Sequence, residues 1–128
     1  MFEYKQREQL RKHIQANFMK ITVNAGVCRF NYKCFYNAVH DAIVDNEDEL
    51  AMCVYLDGSY PILHFINISN GIYTDNTIGQ WSSQYDYYLI RLIRKEEFFN
   101  IENIFVTYRE ELSRKPKWYL RIFSRYIP

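Results

Sequence analysis

Leu10, Ile14 and Phe18 recur at four-residue spacing among mostly polar and charged neighbours across residues 4–18, which predicts an amphipathic helix. The stretch ITVNAGVCRFN follows, and Asn24-Ala25-Gly26 reads as a break or turn. Asn31 is a natural N-cap for a second helix over residues 32–44. Its apolar positions include Phe35, Ala38, Val39, Ala42 and Ile43, and Asp45-Asn46 closes it. From residue 50 the pattern changes to runs of strand formers. LAMCVYL is one strand, ended by the Asp57-Gly58 turn, and YPILHFINI is a second, with Pro61 tolerated near its start. Ser69-Asn70-Gly71 turns the chain into IYTDNT, and YDYYLIRLI over residues 85–93 makes a fourth strand. ENIFVTYREELSRK reads either as a short helix or as a strand followed by a helix, and WYLRIFSRYI over residues 118–127 reads as either type. The expected class is α+β, with N-terminal helices packed on an antiparallel sheet. No internal repeat or low-complexity linker interrupts the chain, so residues 1–128 are expected to form one domain.

Composition agrees with a packed chain. Apolar types make up 48% and aromatics 18% of 128 residues, with only 3 Pro and 4 Gly, which argues against disorder. The formal charge of +1 gives no global attraction to nucleic acid or to an anionic membrane. No apolar run approaches the roughly 18 residues of a membrane-spanning helix. The beginning MFEYKQREQLRKHIQ lacks the apolar stretch of a signal peptide. Cys28, Cys34 and Cys53 are too few for a disulfide framework and are read as thiols, which points to a cytoplasmic location.

Candidate chemistry begins at Cys34. With Asn31 as N-cap, Cys34 falls in the first helical turn, where unpaired N–H groups and the helix dipole favour a thiolate and a developing oxyanion. Arg29 and Lys33 would add positive charge, although a cysteine at a helix start can also be merely structural. The second clue is the hairpin. A two-residue type I′ turn centred on Asn70 and Gly71 sets Ser69 opposite Ile72, Ile68 opposite Tyr73, Ile66 opposite Asp75 and His64 opposite Thr77. His64 and Asp75 are then diagonal neighbours on one face, roughly 7–8 Å apart at the backbone. A polar pair in a largely apolar hairpin calls for mutual hydrogen bonding. Cysteine as nucleophile, histidine as proton shuttle and an acid to orient the imidazole make up the set needed for acyl transfer. The structural alternative makes His64 a satisfied core histidine and Asp75 an Asx-type residue beside a turn.

The order Cys34, His64, Asp75 resembles the transglutaminase-like branch of the papain-like cysteine enzymes. CFYNAVHDAI is similar to that family's nucleophile helix, and PILHFINISNGIYTDNTIG to its His-strand, turn and Asp-strand, over residues 28–80 in all. Phe35 stands where Trp is more typical of the family. The resemblance implies a papain-like core with Cys34 as nucleophile, His64 as base and Asp75 as orienting acid. It further implies amide-bond chemistry of the thiol protease, amidase or transglutaminase type, on a protein or peptide. Some relatives are non-catalytic, so a protein-binding or inhibitory domain on the same fold is the alternative. For the oxyanion, Asn24 and Gln15 are the side-chain candidates beside the Cys34 N–H. Asn37, one turn beyond Cys34, either orients a substrate or satisfies backbone groups, and Trp81 with the Tyr85-Asp86-Tyr87-Tyr88 run either lines a substrate cleft or is ordinary sheet packing.

Other chemistries find less support. Cys28 and Cys34 are six apart and His13, His40 and His64 are scattered, so no metal site is expected. No phosphate loop or G-x-G-x-x-G fingerprint is present, and no cofactor is expected. His40 and Asp41 are expected to face solvent and Cys53 to be packed inside. Arg109, Arg114, Lys115, Lys117, Arg121 and Arg125 alternate with Trp118, Tyr119, Phe123 and Tyr126. That mixture suits single-stranded nucleic acid, but it suits a helix with a solvated basic face better.

Overall fold

Helix α1 (Tyr4–Asn17) buries Leu10 and Ile14, with Phe18 just beyond its end, as the four-residue spacing requires. This is a computed structural model, and it describes residues 4–29, 31, 33–58 and 60–112. Helix α2 (Cys34–Val44) turns a mixed stripe inward, made of Cys34, Asn37, Ala38, Asp41 and Ala42. It stops where Asn46 adopts φ 54°. The N–H of Asn46 then donates to the Ile43 carbonyl and that of Glu47 to the Ala42 carbonyl, which gives two of the last open carbonyls of the helix a partner.

Between these helices the expected break at Asn24-Ala25-Gly26 is instead part of a sheet. Strands β1 (Met19–Ile21) and β2 (Val23–Ala25) are separated by Thr22 alone. The others are β3 (Glu49–Asp57), β4 (Tyr60–Ser69), β5 (Ile72–Asp75) and β6 (Asp86–Arg94). A 3-10 helix, Gly79–Gln84, joins β5 to β6, and a second, Lys95–Asn100, leads into helix α3 (Ile101–Leu112). Residues 101–112 are thus one helix and no strand. The basic and aromatic run beyond residue 112 lies outside the described residues.

The sheet order is β1-β6-β3-β4-β5-β2. Its two edge strands are therefore the two halves of one short segment. Five strand spacings in a flat sheet would put those edges about 24 Å apart, whereas one intervening residue spans about 7 Å. The sheet must curl until its edges meet, and residues 19–25 are the piece that closes it. Counted this way the ring has five members. An odd ring cannot alternate direction throughout, so one neighbouring pair must run parallel. That pair is β2 and β5, while the other pairings are antiparallel. The expectation of a purely antiparallel sheet is corrected accordingly to a mixed one.

The ring separates two apolar clusters. Outside, the three helices cover Leu50, Met52, Val54, Leu63 and Phe65. Inside lie Ile21, Ala51, Cys53, Ile66 and Tyr87. An irregularity in the β3–β6 register at Met52 and Cys53 lets both Ile90 and Ile93 face the helices while Tyr87 faces inward. No helix among the described residues is long and apolar enough to cross a membrane.

Candidate functional site

The β4–β5 hairpin forms as its turn chemistry requires. Asn70 and Gly71 both take positive φ, 52° and 77°, and Ser69 pairs with Ile72, Ile68 with Tyr73 and Asn67 with Thr74. The ladder then ends, short of the expected Ile66–Asp75 and His64–Thr77 pairs, because Asp75 begins a turn of its own. Its Oδ1 accepts the N–H groups of Thr77 at 2.9 Å and Ile78 at 3.0 Å. Its Oδ2 accepts His64 Nε2 at 2.8 Å and the Tyr87 hydroxyl at 2.7 Å. The Asx-turn role and the role as partner of His64 are thus filled by the same carboxylate, one oxygen each.

Both members of the pair are buried, His64 at 4% and Asp75 at 0% exposure. Burial pulls the imidazole pKa down. The Asp75 carboxylate, hydrogen-bonded to the ring, and Cys34 pull it up and prevail, to about 9. Burial pushes the Asp75 carboxyl up, but His64, Tyr87 and the Ile78 N–H hold it below the usual carboxylate range. At neutral pH the pair is an imidazolium facing a carboxylate. Tyr87 stays protonated because burial and the neighbouring carboxylate both raise its pKa.

Cys34 reaches this pair from outside the ring. It is the first residue of α2 and belongs to the cluster under the helices. It nevertheless acts on His64 of the interior, whose pKa it helps to raise. Since Nε2 is taken by Asp75, the nitrogen left for the sulfur is Nδ1.

The local start of α2 differs from the expectation. Lys33, not Asn31, occupies the cap position, with no side-chain cap bond, so Cys34 stands at the first helical position rather than the third. Asn31 Oδ1 accepts the Lys33 N–H at 3.1 Å and makes an Asx turn just ahead of the helix. Arg29 does not lend free charge to the thiol. Its Nη1 and Nη2 grip Asp41 at 2.7 and 2.9 Å, and Nη1 also donates to the Asn76 carbonyl at 3.3 Å. Asp41 is accordingly buried rather than solvent-facing, whereas its neighbour His40 is exposed.

Asn37 is fully engaged. It exchanges two hydrogen bonds with Asn31, at 3.0 and 3.2 Å, and donates to Thr77 Oγ1 at 2.9 Å. One bond further along, Asn67 Nδ2 donates to the Ala38 carbonyl at 2.8 Å. These contacts fasten α2 to the segment that carries Asp75. Gln15 is exposed on α1, accepting from Arg11, and Asn24 is exposed on β2. Neither side chain is hydrogen-bonded to Cys34, His64 or Asp75 among the described residues. Trp81 sits half-exposed on the Gly79–Gln84 turn.

A second thiol lies beside the pair. Cys53 is the cross-strand partner of His64, fully buried, and its Sγ donates to the His64 carbonyl at 3.5 Å. Burial pushes its pKa well up, with Asp75 and Cys34 adding to the effect, so it remains a thiol. No disulfide joins Cys28, Cys34 and Cys53. Among the described residues no three His, Cys, Asp or Glu side chains converge as metal ligands.

Sequence reasoning set Thr77 opposite His64 and read Tyr87 as cleft lining or sheet packing, but it missed the bonds that Tyr87, Thr77 and Asn67 make. Their partners lie in other strands or in α2, so only the closed ring brings them together. Alternation within YDYYLIRLI does place Tyr87 and Leu89 on one face, but it does not say that this face points inward. Comparison with protein-family models, with curated proteins and with solved structures finds no match.

Proposed function

We propose that the chain catalyses cysteine-dependent acyl transfer on an amide bond, as a papain-like or transglutaminase-like enzyme, with Cys34, His64 and Asp75 as its triad. The observation that carries this reading is the division of the imidazole. Nε2 is held by a buried carboxylate at 2.8 Å, which leaves Nδ1 open to a second partner, and Cys34 at the start of α2 is near enough to raise the ring's pKa. In the reaction Cys34 attacks as the thiolate whose proton His64 holds: its sulfur bonds to the carbonyl carbon and the amide π electrons move to oxygen. The helix offers no acceptor for the Cys34 and Phe35 N–H groups, which are available to that oxyanion. Collapse breaks the C–N bond, and His64 gives its proton to the departing amine. Water or a second amine then attacks the thioester, His64 takes the proton, and the sulfur leaves.

Iodoacetamide tests the assignment in a Cys28→Ser background, with the alkylated residue identified by peptide mass. Rapid modification of Cys34 that falls at least tenfold in His64→Ala supports the triad. Equal rates in both proteins reject it. A second reading rests on the exposure of Cys34, only 6%. Such shielding fits a non-catalytic protein-binding or inhibitory domain in which the three residues serve stability. That reading expects alkylation only on unfolding.

A further inference from the structure

Asp75 Oδ2 serves two donors at once, His64 Nε2 and the Tyr87 hydroxyl, while Oδ1 is held by two backbone N–H groups. Tyr87 comes from β6, which is not a neighbour of β5 in the sheet order, so the bond spans the inside of the ring. Its ring packs against Tyr55 at 5.4 Å and lies 6.4 Å from the imidazole. Phenylalanine would fill that space equally well, and what tyrosine adds is a hydroxyl aimed at the very oxygen His64 uses.

We propose that Tyr87 is a positioning residue that shares Asp75 Oδ2 with His64 and thereby sets how firmly the carboxylate holds the imidazole facing Cys34. Its consequence for catalysis rests on the acyl-transfer reading, but the geometry does not. The hydroxyl turns the positive end of its dipole toward the oxygen that faces the imidazolium. It draws off part of the negative charge that His64 would otherwise meet alone, and it fixes the carboxylate at the oxygen that Thr77 and Ile78 do not use. Without the hydroxyl, Oδ2 would serve His64 only, and the imidazolium would be held more strongly.

The test is the His64 titration followed by NMR at the imidazole carbons, in the wild type and in Tyr87→Phe. The titratable groups facing the ring are Asp75 from β5, Cys34 from α2, Tyr55 and Cys53 from β3, and Tyr87 itself. Only the last is altered. We expect the His64 midpoint to rise by about 0.5–1 pH unit. An unmoved or lowered midpoint overturns the proposal, because a packing role is preserved by the phenylalanine ring. If Tyr87→Phe fails to fold, the wild type still decides. The Tyr87 hydroxyl proton must be protected from solvent exchange and its resonance must follow the charge of His64, and a hydroxyl blind to that charge overturns the proposal. Iodoacetamide separates this outcome from the enzyme reading. A moved midpoint with an unreactive Cys34 sustains the positioning role and removes the acyl-transfer reading, and a reactive Cys34 with an unmoved midpoint does the reverse.

Discussion

Replacing Asp75 by asparagine keeps the outline of the side chain and removes its charge. The amide oxygen can go on accepting from Thr77 and Ile78. The amide nitrogen then faces two groups that were donors to the carboxylate, His64 Nε2 and the Tyr87 hydroxyl. His64 can meet that N–H only as a neutral ring protonated on Nδ1. Burial, now opposed only by Cys34, brings the imidazole from about 9 back toward its ordinary 6.5. A fall of roughly 2.5 pH units, at 1.36 kcal/mol each, corresponds to about 3 kcal/mol. The sign follows from linkage. A histidine whose folded pKa exceeds its unfolded value contributes stability that is complete below about pH 6.5 and is lost as pH rises through about 9. Urea unfolding of the wild type and Asp75→Asn near pH 6 and again near pH 9.5 should therefore show a stability gap about 3 kcal/mol wider at the lower pH. A gap of equal size at both values would refute the reasoning, since it would mean that Asp75 acts only through its turn and its packing.

Three further outcomes follow from the supports of the site. Asn37→Ala leaves Thr77 and Asn31 without their buried partner and should cost about 1–3 kcal/mol in chemical denaturation, with faster hydrogen exchange at the start of α2. Gly26→Ala places a methyl group 2.0 Å from Asn76 Oδ1 and 2.7 Å from the Asp75 carbonyl. It should lower the melting temperature and broaden the His64 resonance, and an unchanged His64 spectrum would show that the strain bypasses Asp75. Asp41→Asn leaves Arg29 short of its counter-ion and should cost about 1–3 kcal/mol at neutral pH, between the values for exposed and buried pairs. The Asp41 pKa is lowered because Arg29 and His40 outweigh burial, so this cost should shrink as acid protonates the carboxylate in the wild type.

Most of the elements are legible in the chain because each is set by local chemistry. Leu10, Ile14 and Phe18 write the stripe of α1, and Asn70-Gly71 fixes a register that puts His64 beside Asp75. What cannot be read is whatever depends on closure. Residues 19–25 carry too few positions to show alternation, and Asn24-Ala25-Gly26 has turn composition. Their strand character comes from partners in β5 and β6. The pairing of Arg29 with Asp41 and of Tyr87 with Asp75 is invisible for the same reason, because neither residue's own surroundings in sequence name its partner. The shift of the α2 cap from Asn31 to Lys33 is local, yet an Asx turn and an N-cap share the same signal residue.

The closing segment also dictates an order of events during synthesis. Met19 must find Leu89, and Ala25 must find Asp75, before the ring exists. Residues made early therefore wait, unpaired, until β6, the last strand among the described residues, has emerged. Contacts this distant slow folding and leave strand edges open in the interval. The carboxylate that orients His64 acquires its final partner, Tyr87, only with β6. A nascent or truncated chain lacking β6 would carry Cys34, His64 and Asp75 without the enclosure that joins them, so the chemistry proposed for this protein would wait for β6.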